Sequence, residues 1–301
     1  MVSVASLAVK KEDILVIGAD SLIGASLMDT FKSRGVSVVG TSRRKSDSLL
    51  FLDLASPIDL SALPKASTVF LCAGINGFEA CNQDPVIAAQ VNVVATLAIG
   101  VHYMKQGGHV VFLSSSAVFG TRSDIPDEQD NVSPNTIYGV FKCATEIALL
   151  EASKNSTGVC SIVRLTKVFS ATSLLLKKWR DQGMESQGIE AFFDITLSPI
   201  SLNYVVNSLV EVGDRKLAGC VHLAGEQTIT YADLAYALCE KWFIPKAMVK
   251  RISQSATAKT APLPQCSVLA MHRTKSELGI KPQLLAEFLV SIESETEFVI
   301  R

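Results

Sequence analysis

The chain is predicted to fold as a doubly wound α/β protein, an open parallel sheet with helices on both faces joined to a smaller C-terminal lobe. Three observations predict it. Short apolar runs alternate with longer helical stretches through the first half, the pattern of parallel strands joined by helical crossovers. The runs are continuous rather than alternating, as in Ile14-Leu-Val-Ile17, which is how strands buried on both faces read. Finally, 301 residues with 48% hydrophobic side chains suffice for one large or two small domains with a sizeable core.

Ile14 to Ile17, ending in Gly18, is the first strand. Leu22 to Arg34 follows as a helix stopped by Gly35. Val36-Ser-Val-Val39 is the second strand, Leu49-Leu-Phe-Leu52 a short third and Thr68-Val-Phe-Leu-Cys72 the fourth. Pro85 to Met104 is the most apolar stretch, with Asp84 at its N-cap and Pro85 in the first helical position. Gln90, Asn92, Thr96 and His102 interrupt it, so a helix buried on most sides is expected and not a membrane span. His109 to Leu113 is the fifth strand, Thr136 to Ser153 a helix and Val159 to Val163 the sixth strand.

The regularity fades after Arg164. Leu174 to Arg180 and Ile200 to Val212 read as helices, with Trp179 and Arg180 either on a surface face or contacting a substrate held by the lobe. Cys220 to Leu223 reads as a strand returning to the main sheet. Tyr231 to Lys241 is a helix capped near Thr230 or Tyr231, and Arg273 to Ile300 holds a Leu-Gly-Ile turn and an amphipathic helix. The expected division is residues 1–164 with a returning strand near 217–224, against a lobe of 165–216 and 225–301.

Composition removes several functions. A net charge of -1 supplies no electrostatic footprint for nucleic acid. Seven scattered cysteines without a Cys-x-x-Cys pair suit free thiols in a reducing compartment, hence the cytoplasm. His102, His109, His222 and His272 share no ligand spacing with cysteines or carboxylates, so no metal site is expected. No basic region precedes the mildly apolar residues 1–11, which argues against a secretory signal.

Gly18-Ala-Asp-Ser-Leu-Ile-Gly24 sits between the first strand and the first helix. Glycines there permit a tight turn and let backbone approach a dinucleotide pyrophosphate, with the helix N-terminus facing the phosphates. Gly18, Ser21, Leu22, Ile23 and Gly24 are therefore candidate cofactor contacts, Ser21 standing where a middle glycine is usual. The second strand ends without the acid that would bind an NAD ribose, and Thr41, Arg43 and Arg44 stand there instead. Arginine can bind a 2′-phosphate, so NADP(H) is preferred to NAD(H). Asp53-Leu54 is placed to meet the adenine, and the small residues Cys72-Ala73-Gly74 allow close approach of the cofactor.

Ser115, Tyr138 and Lys142 supply a hydroxyl, a phenol and an ammonium. Lys142 falls one helical turn after Tyr138, on the same face. Its charge is expected to lower a tyrosine pKa that starts near ~10, towards the working pH that acid–base catalysis favours.

These segments, with Asn92-Val-Val-Ala-Thr96 and Arg164-Leu-Thr-Lys-Val168, resemble the extended short-chain dehydrogenase/reductase family of nucleotide-sugar epimerases, dehydratases and reductases. The resemblance covers nearly the whole chain and implies a Rossmann-type fold. It implies that Ser115 polarises a carbonyl, Tyr138 is the general acid/base, Lys142 binds the nicotinamide ribose and Asn92 supports the site. Leu165 and Val168 would line the nicotinamide pocket. Phe169-Ser170 stands where many relatives have Tyr-Gly.

Dehydratases of this family carry an acidic pair after the hydroxyl residue, and Ser116 and Ala117 stand there. NADPH-dependent reduction of a keto group on a nucleotide-sugar fits best, and later segments such as Ser198-Pro-Ile200 look similar to the dTDP-4-dehydrorhamnose reductase branch. An NAD(P)-dependent epimerase, a reductase of a non-sugar ketone and a non-catalytic NADP-binding regulatory protein stay open. Ala88, Val91, Ala95 and Ala98 on one helix, with Ala144, Ile147 and Ala148 on another, could pack against a second copy as a homodimer.

Overall fold

The computed structural model describes residues 14–256 and 267–299. Residues 1–11, Cys266 and Ile300, on which expectations above fall, lie outside the described residues. In chain order the elements are β1 (Ile14–Ile17), α1 (Leu22–Ser33), β2 (Val38–Ser42), β3 (Leu50–Phe51), β4 (Thr68–Leu71), α2 (Phe78–Gln83), α3 (Pro85–Ala89) and α4 (Thr96–Lys105). Next come β5 (His109–Ser115), α5 (Ile137–Lys154), β6 (Val159–Leu165), β7 (Val168–Phe169), α6 (Leu174–Met184), β8 (Ile189–Phe192), β9 (Thr196–Leu197), β10 (Ile200–Ser201) and α7 (Leu202–Arg215). β11 (Gly219–Leu223), β12 (Ile229–Thr230), α8 (Tyr231–Lys241), β13 (Val249–Ile252), α9 (His272–Leu278) and α10 (Leu285–Val299) complete the chain.

Seven strands form one all-parallel sheet in the order β11-β6-β5-β4-β1-β2-β3. Alternate residues feed two cores. Val16, Phe70, Val111, Val163 and Val221 point to the face covered by α1 and α7. Leu15, Val69, Val110 and Ile162 point to the face covered by α4 and α5. Burial on both sides explains why these strands read as unbroken apolar runs. The fold is a Rossmann-type doubly wound sheet. Strand order reverses between β1 and β4, and in such sheets the ligand crevice opens at that reversal.

Local chemistry sets the helix starts. Ser21 Oγ accepts the Gly24 N–H at 3.1 Å to begin α1, and Thr136 Oγ1 accepts the Gly139 N–H at 3.1 Å to begin α5. Thr230 and Asp233 form a reciprocal capping box on α8. Glycine at positive φ follows α1 at Gly35 (66°) and ends α9 at Gly279 (70°).

Tertiary contacts alter several expectations. β2 begins at Val38, not Val36, because parallel pairing aligns Ile14 with Val38 and carries the strand on to Ser42. The long apolar helix is interrupted by a π-helical stretch, Gln90–Ala95. There the Asn92 carbonyl accepts from Thr145 Oγ1 at 2.8 Å, an insertion of the kind that breaks the regular ladder. Nor is this helix buried on most sides. Pro85–Lys105 is long and apolar enough to cross a membrane by length and composition, yet only 39% of its apolar window is buried inside the molecule. Val86 is 75% and Val94 55% exposed, while Ala88, Asn92, Ala95 and Ile99 pack inward.

α7 lies within the expected 165–216 lobe segment, but Val205, Leu209 and Val212 join the core of α1 over the main sheet. The lobe proper is smaller. It packs α6, α8 and α10 around two-stranded pairings of β8 with β13 and β9 with β12. Trp179 is in its core at 2% exposure, not on a surface face.

A buried ion pair ties the sheet to α5. Arg164 Nη2 lies 2.8 Å from Glu146 Oε2, with 6% and 2% of the two side chains exposed, and Arg164 Nε bonds both carboxylate oxygens at 3.2 and 3.1 Å. Removing one partner strands a charge in low dielectric, which costs about 3–5 kcal/mol. Arg164→Met is therefore expected to lower the unfolding free energy by about that much in urea titrations, and Arg164→Met with Glu146→Leu to lose less. A single variant as stable as the parent would show that the pair holds nothing together.

Candidate active site

Two adjoining cavities open along the carboxyl ends of the strands. The first, about 380 Å³, lies at the β1/β4 reversal, and the second, about 410 Å³, lies between the sheet and the C-terminal lobe. Both fall in the size range of small-molecule sites. Asn76 lines both and marks where they meet.

The first cavity gathers Gly18, Ser21, Thr41, Arg43, Arg44, Asp53, Leu54, Ala73 and Gly74. Gly18 has φ of 83°, and a Cβ there would lie 2.6 Å from the Ala73 nitrogen, so only glycine fits this approach. A Cβ on Gly24 would lie 2.2 Å from the Gly18 carbonyl oxygen. Gly24 therefore acts behind the turn and does not line the cavity. Ser21 Oγ donates to that same carbonyl at 2.7 Å while capping α1. The residue that replaces a glycine thus has a local role, while Leu22 lines neither cavity and Ile23 lines the second.

Thr41 is buried inside β2, and its Oγ1 accepts the Gly18 N–H at 3.3 Å, so it braces the turn. Asp53 accepts from the Ala55 amide at 3.0 Å and the Ser56 hydroxyl at 3.2 Å. Arg44 pairs with Asp20 at 3.0 Å. Arg43 is exposed at the cavity and forms no ion pair among the described residues. A glycine cradle at a helix start, with Arg43 at the end of β2, fits a dinucleotide cofactor.

The second cavity gathers Ile23, Cys72, Ser115, Tyr138, Lys142, Leu165 and Val168. Ser115 ends β5, and its Oγ accepts the Ala117 N–H at 3.2 Å. Tyr138 and Lys142 enter from the first turns of α5. Phe78 holds the Tyr138 ring edge-on, centroids 5.8 Å apart. Burial pushes the Tyr138 phenol up to about 12, opposed by a hydrogen bond with Ser115 and reinforced by nearby Cys81. Burial pulls the Lys142 ammonium down to about 8, against Glu146, Cys72 and Cys81, which favour its charge.

The expected lowering of the tyrosine by Lys142 is not what the protein alone shows. Lys142 Nζ donates to the Leu113 carbonyl at 2.8 Å and lies 5.8 Å from the Tyr138 ring centroid, and burial dominates both groups.

Asn92 lines neither cavity. Its Oδ1 accepts the Ile75 N–H at 2.8 Å and its Nδ2 donates to the Ile75 carbonyl at 3.0 Å, so it is a positioning residue for the loop after β4. Asn76, Phe78, Thr166, Lys167, Thr196, Tyr231 and Ser267 also line the cavities. Asn76 and Phe78 follow a strand end, and Thr166 and Lys167 are polar residues directly after the apolar β6. That position was the one readable sign.

Known proteins share this framework. A probable low-salt glycan biosynthesis reductase of Haloferax volcanii is 22% identical, over 93% of this chain and 96% of its own. The methionine adenosyltransferase 2 subunit beta of Rattus norvegicus is 24% identical, over 90% of this chain and 86% of its own. The dTDP-4-dehydrorhamnose reductase of Bacillus anthracis, solved with NADP, superposes with a TM-score of 0.81 at 18% identity, covering 97% of this chain and 100% of that one. Residues 12–295 match the RmlD substrate binding domain, and on that match the chain belongs to the RmlD substrate-binding domain family.

Proposed function

We propose that this protein is an NADPH-dependent reductase of a keto group on a nucleotide-sugar. The observation that carries the reading is the joining at Asn76 of the crevice beside the glycine turn and a cavity lined by Ser115, Tyr138 and Lys142. The relatives named as reductases support the same reading.

NADPH, when bound, supplies the hydride. Ser115 hydrogen-bonds the carbonyl oxygen, and Tyr138 gives that oxygen its proton. The raised Tyr138 value suits a donor, because the phenol stays protonated across the neutral range. Lys142 brings positive charge towards the forming alkoxide. Ser116 and Ala117 offer no acid for water loss, which sets dehydration aside. The relatives named methionine adenosyltransferase 2 subunit beta keep a second reading in view, a non-catalytic NADP-binding regulatory subunit.

Ala88 and Ala95, expected on the pairing face, are buried within the chain itself, but the exposed side chains Val94 in the π-helical stretch and Val140 and Ile147 on α5 support a homodimer through these two helical segments. Sedimentation at micromolar concentration is expected to show two copies, and a lone monomer would remove the dimer.

Fluorescence titration is expected to show NADPH binding more tightly than NADH. Arg43→Ala should weaken NADPH about tenfold, the loss of one charge-assisted hydrogen bond, and leave NADH where it was. Equal losses for both cofactors would take Arg43 off the 2′-phosphate.

Reduction of dTDP-4-dehydrorhamnose is expected to fall as pH rises through about 8, where Lys142 loses its proton, while Tyr138 keeps its own. Lys142→Arg should move that limb upward. A profile flat to pH 10 would reject the role of Lys142, and binding of NADPH without oxidation of any keto-sugar nucleotide would favour the subunit reading.

A further inference from the structure

The cavity that carries Tyr138 also holds a lysine that proton transfer does not need. Lys167 follows β6 and lines the cavity beside Thr166. It stands two residues past Leu165, whose register partner on β5 is Ser115. Two residues of chain span at most about 7 Å, and neighbouring strands lie about 4.8 Å apart. The Lys167 backbone is therefore anchored near the hydroxyl that would polarise the carbonyl. A hydrogen bond from the Ile200 N–H to the Lys167 carbonyl, 3.0 Å, fixes that backbone.

Three features mark an unmet need for an anion here. Among the described residues that line this cavity there is no aspartate or glutamate. Lys167 is exposed at the cavity wall and forms no ion pair among the described residues, its Nζ lying 5.9 Å from the Phe169 ring centroid. Partial desolvation there draws its ammonium downward, with no carboxylate to raise it. Beside it, Thr166 Oγ1 is buried without a hydrogen-bond partner among the described residues, in a residue only 6% exposed. An ammonium and a hydroxyl on adjacent residues can each serve one oxygen of a carboxylate.

We propose that Lys167, with Thr166, is a specificity-determining pair that binds a carboxylate carried by the reacting sugar. The preferred substrate is then a keto-sugar nucleotide of the uronic acid class in place of a neutral hexose. This rests on the reading of the cavity as a keto-sugar nucleotide site. A nucleotide diphosphate offers similar anionic oxygens, but the anchor beside Ser115 puts Lys167 at the reacting end of the cavity.

The test is calorimetric titration of the full chain with glucose and glucuronate, each as its UDP and dTDP derivative. The two sugars differ only in a hydroxymethyl group against a carboxylate. Glucuronate is expected to bind about tenfold more tightly, the scale of one hydrogen bond to a charged group. Lys167→Met should abolish that preference, Lys167→Arg should keep most of it, and Thr166→Val should reduce it. Equal binding of the two sugars, or a preference that survives Lys167→Met, overturns the assignment and leaves the keto-sugar reading intact. A Lys167→Met loss shared equally by both sugars assigns the lysine to the diphosphate and likewise overturns it. Failure of all four compounds to bind would remove the nucleotide-sugar reading, and this inference with it.

Discussion

The close approach of β1 and β4 at their carboxyl ends is the constraint on which the rest of the molecule depends. The Ile17 carbonyl accepts both the Cys72 and Ala73 amides, at 2.9 and 2.8 Å. That draws the β4 strand end against Gly18 until no side chain fits. From this point the chain leaves β1 towards β2 and β3 on one side, and β4 leads towards β5 and β6 on the other. The crevice, the exposed start of α1 and the loop that Asn92 grips all follow from that divergence. A residue larger than glycine at position 18 would force the two strand ends apart and remove all three together.

A buried polar network carries this geometry into the second cavity. The Ser114 hydroxyl donates to Glu146, which pairs with Arg164, and Arg164 Nη1 lies 3.4 Å from His222 Nε2. The backbone N–H of His222 donates to Thr274 Oγ1 at 2.9 Å, and the Thr274 hydroxyl lies 2.9 Å from Glu128 Oε1. Burial and the adjacent guanidinium hold the His222 imidazole down at about 4, so it is neutral. Its Nδ1 then donates to the Ala270 carbonyl at 2.8 Å, which leaves Nε2 to accept from arginine. The chain of contacts joins β5, α5, β6, β11 and α9. A low-dielectric interior makes each unmatched member costly, so the members hold one another in register.

The second cavity holds two differently placed lysines. Lys142 is packed against β5, with its ammonium tethered to the Leu113 carbonyl and Glu146 one turn further along α5. Lys167 lies on the loop beyond β6 without such a tether, facing surfaces supplied by the C-terminal lobe. The first arrangement suits a fixed field on reacting atoms, and the second suits recognition of a ligand that brings its own charge.

What the sequence alone determined is what short-range chemistry determines. The bounds of β1 and α8 could be read to the residue, because an apolar run ending in glycine and a cap at Thr230 or Tyr231 leave few local alternatives, and the structure places that cap at Thr230. Ser115, Tyr138 and Lys142 could be named as a group, and so could the glycine turn and the basic end of β2. Tertiary structure decided the remainder. The π-helical stretch depends on Thr145, a residue 53 positions away from the Asn92 carbonyl it engages. The start of β2 depends on pairing with β1, and the membership of α7 depends on its packing against α1. The position of Asn92 behind the site, and of Thr166 and Lys167 within it, needed the sheet and the lobe brought together. Caps and apolar periodicity act over a few residues, whereas burial, pKa shifts and cavity linings arise only where distant segments exclude water together.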